Sequence, residues 1–237
     1  MEAMPTLLVP GGSLSRGLSR TLAAAAISLA AAMPAEACAP GQLVRIVYRN
    51  VSPGVAASDP AAQPRILWRI ASTFLRSEEQ PDPASGVQAL VIVSEPNVWM
   101  INLTDRTGRH VIDSDPSQVV RAPIIPISDL PAPFSSLEYG CEAGFVAAYA
   151  PVPQSRTKWG DGPAQLHGLT QGEHSLAILM DSRRNTPLLI SYLRQGRPVL
   201  VVRYDDHRTG VQAQEDLFRP PGFVKFQEAP ASAVITR

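Results

Sequence analysis

The chain has 237 residues, with 21 basic and 21 acidic side chains, 45% apolar residues, 23 prolines and two cysteines. A zero formal net charge with no basic tail lacks the electrostatic footprint of a phosphate-backbone binder and argues against nucleic acid as a partner. A charged fraction of 18%, with ample Val, Ile and Leu, predicts a packed core, and two cysteines cannot build a disulfide scaffold or a four-thiolate zinc site.

Residues 1–37 read as an export signal. Arg16 and Arg20 give a positive start, Leu22 to Ala32 is an apolar run too short to cross a bilayer, and Ala35-Glu36-Ala37 offers small residues at the two positions a signal peptidase inspects. A retained anchor is the alternative. Cleavage after Ala37 leaves residues 38–237 as one β-rich domain with Cys38 at its start, in an exported, periplasmic setting. Lipidation of Cys38 is a further alternative, against which Ala35 and Glu36 stand where a lipobox carries an aliphatic and a small uncharged residue. In an oxidising compartment Cys38 and Cys141 either form a disulfide closing a loop of about 100 residues or remain as two free thiols.

Alternation with period two dominates the chain beyond Cys38. Gln42 to Asn50 sets Val44, Ile46 and Tyr48 on one face, and Arg65 to Glu78 reads as one long strand with Trp68, Ile70 and Phe74 on one side. Val87 to Ser94, Val98 to Leu103 and Arg109 to Asp113 continue a meander through turns at Pro81 to Gly86, Pro96-Asn97 and Asp105 to Gly108. Trp99 and Ile101 share a face. Between Pro116 and Pro133 five prolines interleave with Val119, Val120, Ile124, Ile125 and Ile127, which predicts a Pro-rich loop over residues 114–135 lying across an apolar surface. Ser135 with Glu138 resembles a capping box, and Leu137, Cys141, Phe145 and Ala148 recur at helical spacing, so a helix is predicted over 136–148. Four further strands, Ala164 to Leu169, Glu173 to Met180, Pro187 to Gln195 and Pro198 to Asp205, place Tyr192 and Tyr204 on a C-terminal hairpin. The expected fold is mainly β with some α: a strongly curved antiparallel sheet, or unclosed half-barrel, with one short helix and the Pro-rich loop covering its concave face.

Titratable side chains form no convincing catalytic group. His110, His167, His174 and His207 show no HxH or HExxH spacing, so no metal site and no cofactor are predicted. Asp205-Asp206-His207 reads as a solvated turn, and Ser155 to Lys158, despite its S-x-x-K spacing, as a loop. A base–orienter pair of His110 with Asp113, or a hydrolase using His207, stands as the enzymatic rival.

The stretches Pro187-Leu188-Leu189-Ile190, Val199 to Tyr204 after Gly196, and Leu217-Phe218-Arg219-Pro220-Pro221-Gly222 resemble the closing hairpin of periplasmic outer-membrane lipoprotein-sorting proteins of the LolA/LolB/LppX-like type. The strand Asn97 to Leu103 is similar as well. That resemblance implies a half-barrel whose apolar lining, Trp68, Ile70, Phe74, Trp99, Ile101, Phe145, Tyr192 and Tyr204, holds a lipid or lipoprotein acyl chain, with an envelope membrane protein as a possible further partner. Carriers of that family lock the lid with an arginine in an early strand. Arg69 and Arg76 stand in early strands, and neither is assigned that role. The expectation is therefore a non-enzymatic, exported binder of acyl chains, lipid or lipoprotein. The alternative is an envelope structural or assembly protein with a filled core, acting through its surface.

Overall fold

The computed structural model describes residues 38–115 and 117–227; the export-like segment 1–37 and Pro116 lie outside the described residues. Twelve strands form one open sheet among them. In chain order these are β1 (Val44–Asn50), β2 (Arg65–Ile70), β3 (Phe74–Glu78), β4 (Ala89–Ser94), β5 (Asn97–Asn102) and β6 (Thr107–Ile112). After helix α1 (Glu142–Tyr149) come β7 (Ser155–Trp159), β8 (Gly162–Gln171), β9 (His174–Asp181), β10 (Thr186–Arg194), β11 (Arg197–Thr209) and β12 (Lys225–Gln227). The spatial order is β12-β6-β5-β4-β3-β2-β1-β11-β10-β9-β8-β7, so two meanders meet where β1 pairs antiparallel with β11, and the sheet does not close into a barrel. All pairings are antiparallel except that of β12 with β6. This is the predicted fold class.

Several elements differ from the prediction. The run Arg65 to Glu78 is a hairpin rather than one strand, turning through Ala71-Ser72-Thr73 with Ala71 at φ 53. Ile70 faces Phe74 across the turn. A step of four residues keeps side-chain parity, so the alternation continues unbroken through a turn that carries neither Gly nor Pro. The helix begins at Glu142, not 136. Gly140, at φ 90, turns the chain first, in the left-handed region that glycine adopts most readily. The capping box expected of Ser135 and Glu138 is not formed: the Ser135 N–H bonds to the Pro131 carbonyl, the Glu138 carboxylate goes to Arg69, Arg121 and the Ala122 N–H, and a short 3-10 turn occupies Phe134–Ser136. β11 runs on through Asp205, Asp206 and His207 to Thr209, because β1 offers it a ladder from Asn50 back to Val44. The expected solvated turn is therefore strand. Ser155 to Lys158, expected as loop, belongs to the edge strand β7.

Both sheet faces are covered over part of their extent. On the first, Ile46, Leu67, Leu75, Val93, Ile178, Ile190 and Val202 pack against Val120, Ile124, Ile125, Phe134, Leu137 and Phe145. These come from the Pro-rich segment and α1, which lie over the sheet as expected. The segment pairs mainly with itself, through Ile124 N–H to Leu137 O (3.0 Å) and Tyr139 N–H to Ala122 O (3.0 Å), and reaches the β2–β3 turn through Val120 N–H to Ser72 O (2.8 Å). On the second face Leu90, Ile92 and Ile101 pack with Trp99, Leu103, Phe218 and Val224, the last two supplied by the chain between β11 and β12.

Candidate functional site

Arg69 is the centre of the covered face. It stands on β2 among apolar neighbours, opposite Val44 of β1 and Leu75 of β3, and is 0% exposed. Burying a guanidinium is costly unless it is paired and hydrogen-bonded. Here its Nη1 lies 2.8 Å from Glu138 Oε2 and donates to the Tyr139 carbonyl (3.1 Å), while Nη2 donates to the carbonyls of Cys38 (3.0 Å) and Val120 (2.8 Å). Glu138 also accepts the Ala122 N–H (3.1 Å) and pairs with Arg121. Three stretches of non-strand chain, at Cys38, Val120 and Glu138-Tyr139, thus converge on one strand side chain. The Cys38–Cys141 disulfide, with its Cα atoms 5.9 Å apart, joins the start of the described chain to the residue before α1. It decides between the two cysteine readings in favour of the bridge. With its sulfur bonded to Cys141, Cys38 is not free to carry a lipid.

Beside this lock lies a second buried polar group. Glu142, 1% exposed, accepts the Tyr204 hydroxyl (2.8 Å) and the Gly140 N–H (2.9 Å), and His207 Nε2 stands 3.6 Å from its carboxylate. The rings of Tyr48 and Tyr139 meet at 4.3 Å, tilted by 32°, and Tyr139 lies 6.2 Å from Tyr204. Burial holds the Tyr204 hydroxyl well above its ordinary value near 10, helped by the Glu142 charge, and does the same for Tyr139, helped by Tyr48 and Glu142. Such phenols stay protonated and serve as donors.

The eight residues expected to line one pocket are divided between two faces. Phe145, Tyr192 and Tyr204 belong to the covered core. Trp68, Ile70, Phe74, Trp99 and Ile101 belong to the second face, as the ladder register dictates: Ile70 faces Phe74, and Trp99 follows from Phe74 through Ser94 and Asn97. There Phe74 meets Phe218 at 5.3 Å, Trp99 stacks on His110 at 5.2 Å, and Trp68 has the guanidinium groups of Arg45 and Arg76 at 5.8 and 5.9 Å from its ring centre. A single concave lining made of all eight is therefore corrected. Alternation assigns residues to a common side of a strand but does not say which side the cover takes. His110 hydrogen-bonds Asn97 (3.0 Å), while Asp113 accepts the Asp115 N–H (2.9 Å).

Sequence patterning does not single out Arg69, Glu138 or Glu142 as a site. The resemblance brought up Arg69 beside Arg76 without choosing between them, and the one signal in the patterning is that Arg69 is the only charged residue of β2 after the first position; Glu138 fits a helix cap equally well. Two grooves are open at the surface. One of about 530 Å³ lies between Trp68, Arg76, Glu78 and residues 214–222, and the other, about 330 Å³, runs along Arg121, Pro123, Ile125 and Ile127 on the outside of the cover. Among the described residues no three His, Cys, Asp or Glu side chains are grouped to hold a metal ion, and no helix is long and apolar enough to cross a membrane.

No family model matches the chain, and no curated protein matches it. Solved structures resemble its fold distantly. An uncharacterized conserved protein from Thermus thermophilus is 10% identical at a TM-score of 0.45, covering 80% of this chain and 91% of that one. MucB in the MucA/MucB complex of Pseudomonas aeruginosa is 11% identical at 0.43, and the match spans 78% of this chain but only 58% of that one. A putative outer membrane lipoprotein-sorting protein domain from Vibrio parahaemolyticus is 10% identical at 0.32, covering 76% and 88%. The likeness is one of architecture, and no residue role is taken from it.

Proposed function

We infer that this is an exported, non-catalytic binding protein of the cell envelope whose covered sheet face receives an acyl chain of a lipid or lipoprotein when the cover is displaced. The observation that carries the reading is the nature of the cover. It is a Pro-rich, largely irregular segment that presents Ile124, Ile125, Phe134 and Leu137 to the apolar sheet and is fastened by one buried arginine cluster and one disulfide. An irregular layer that supplies apolar side chains can be replaced by another apolar chain. At about 0.8 kcal/mol per buried methylene, a C14–C16 acyl chain regains much of the burial lost when the cover moves. The export-like segment and the disulfide both fit an oxidising compartment.

A second reading, an envelope assembly protein acting through its surface, is favoured by the filled core: the two grooves both open at the surface, one on the second face and one outside the cover. Native mass spectrometry of the purified protein, with titration of a fluorescent fatty acid, separates the two. Binding that strengthens in the Cys38→Ser/Cys141→Ser variant supports the acyl-chain reading. Lipid-free protein that ignores the probe with the disulfide present and absent leaves the surface-acting one.

A further inference from the structure

The sheet ends at β7, and this edge has the attributes of a docking strand. All five of its residues are exposed. Among the described residues it is held only by β8, in a hairpin closed by Gly160-Asp161 with Trp159 opposite Gly162 and Gly160 at φ 55. In a two-residue hairpin the residues flanking the turn exchange hydrogen bonds, so Trp159, Thr157 and Ser155 bond inward to β8. The N–H and C=O groups of Arg156 and Lys158 consequently point outward along the free edge. Their side chains share one side of the strand, two residues apart, and among the described residues neither forms an ion pair. On the other side Trp159 is 39% exposed.

We propose that β7 binds an acidic, extended peptide segment by strand addition. The partner carries carboxylates at alternate positions facing Arg156 and Lys158, and an apolar residue on the intervening side toward Trp159. Backbone pairing supplies the affinity and the alternate side chains the choice of partner. Charge decides against a second copy of this chain. Two-fold antiparallel pairing about Thr157 sets Arg156 of one copy opposite Lys158 of the other, and like charges directly opposed repel. Positive charge on an edge also serves simply to prevent sheet-to-sheet association. That purely protective role predicts no preference for an acidic strand, so the two are separable.

The test uses the disulfide-bonded protein and two synthetic ten-residue peptides, one alternating Glu with Val and Thr, the other with Lys in place of Glu. Fluorescence anisotropy should show binding of the Glu peptide only, weakening as salt rises toward a Debye length of about 8 Å at 0.15 M. Hydrogen exchange should slow at the Arg156 and Lys158 amides. Arg156→Glu/Lys158→Glu should lose at least about tenfold in affinity for the Glu peptide and gain the Lys peptide. Lys158→Pro, which removes one outward N–H at an edge position that tolerates proline, should weaken binding beyond Lys158→Ala. The proposal is overturned by equal binding of both peptides, by binding without protection of those amides, by no binding, or by protection that depends on protein concentration alone.

Discussion

Arg69 concentrates the residue-scale energetics. With its guanidinium gone, Glu138 keeps only Arg121 and the Ala122 N–H, and the carbonyls of Cys38, Tyr139 and Val120 lose their donor. Arg69→Met should therefore cost about 3–5 kcal/mol in urea unfolding, and adding Glu138→Leu should restore part of it, since a missing partner costs more than a missing pair. No recovery in the double variant would mean that the carbonyl contacts, not the ion pair, hold the cover. The buried phenols give a pH dependence. Unfolded tyrosines ionise near 10, whereas burial holds Tyr139 and Tyr204 protonated well beyond it in the folded protein. Above pH 10 the folded state binds more protons, so stability is complete below that value and falls as pH rises past it. An ultraviolet titration should show these two phenols ionising only as the protein unfolds.

The deciding element is the cover. Its disulfide spans 103 residues of sequence, so Cys38→Ser/Cys141→Ser should lose about 4 kcal/mol through the enlarged freedom of the unfolded chain. Hydrogen exchange should quicken first at the Ala122, Ile124 and Tyr139 amides, which bond within the cover or to Glu138 rather than to the sheet. Equal quickening in β9 and β10 would show instead that cover and sheet open as one unit. The strands themselves are readable as elements, because apolar and polar residues alternate wherever one face is buried. The hairpin at Ala71 is not, since its turn preserves parity, nor is β7, whose five exposed residues leave no apolar side to detect.

At the scale of the molecule, the two covered faces separate the aromatic residues. Trp68 and Trp99 lie on the second face, away from the Pro-rich cover. With the third tryptophan, Trp159 of β7, replaced by Phe, an acyl chain between sheet and cover should leave their fluorescence unchanged, so a brominated fatty acid should bind without quenching it, relative to its unbrominated counterpart. Strong quenching would instead place the chain on the second face, where Trp68 lines the groove beside residues 214–222, and would overturn the covered face as the acyl-chain site. Phe145, Tyr192 and Tyr204, legible in the sequence as candidate lining residues, do lie in the covered core, whereas the arginine that fastens the cover carries no local signature of that role.

The sequence by itself determined the mainly β class, the meander connections, the Pro-rich layer and the two cysteines available to pair, because all of these follow from local periodicity, turn chemistry and composition. Only the tertiary structure decided that β1 joins β11 across the sheet, that Cys38 meets Cys141, that Arg69 reaches the cover, and which face each strand turns toward it. Those are contacts between residues tens to more than a hundred positions apart. Alternation specifies the two sides of a strand equally well in either orientation, and only long-range packing breaks that symmetry.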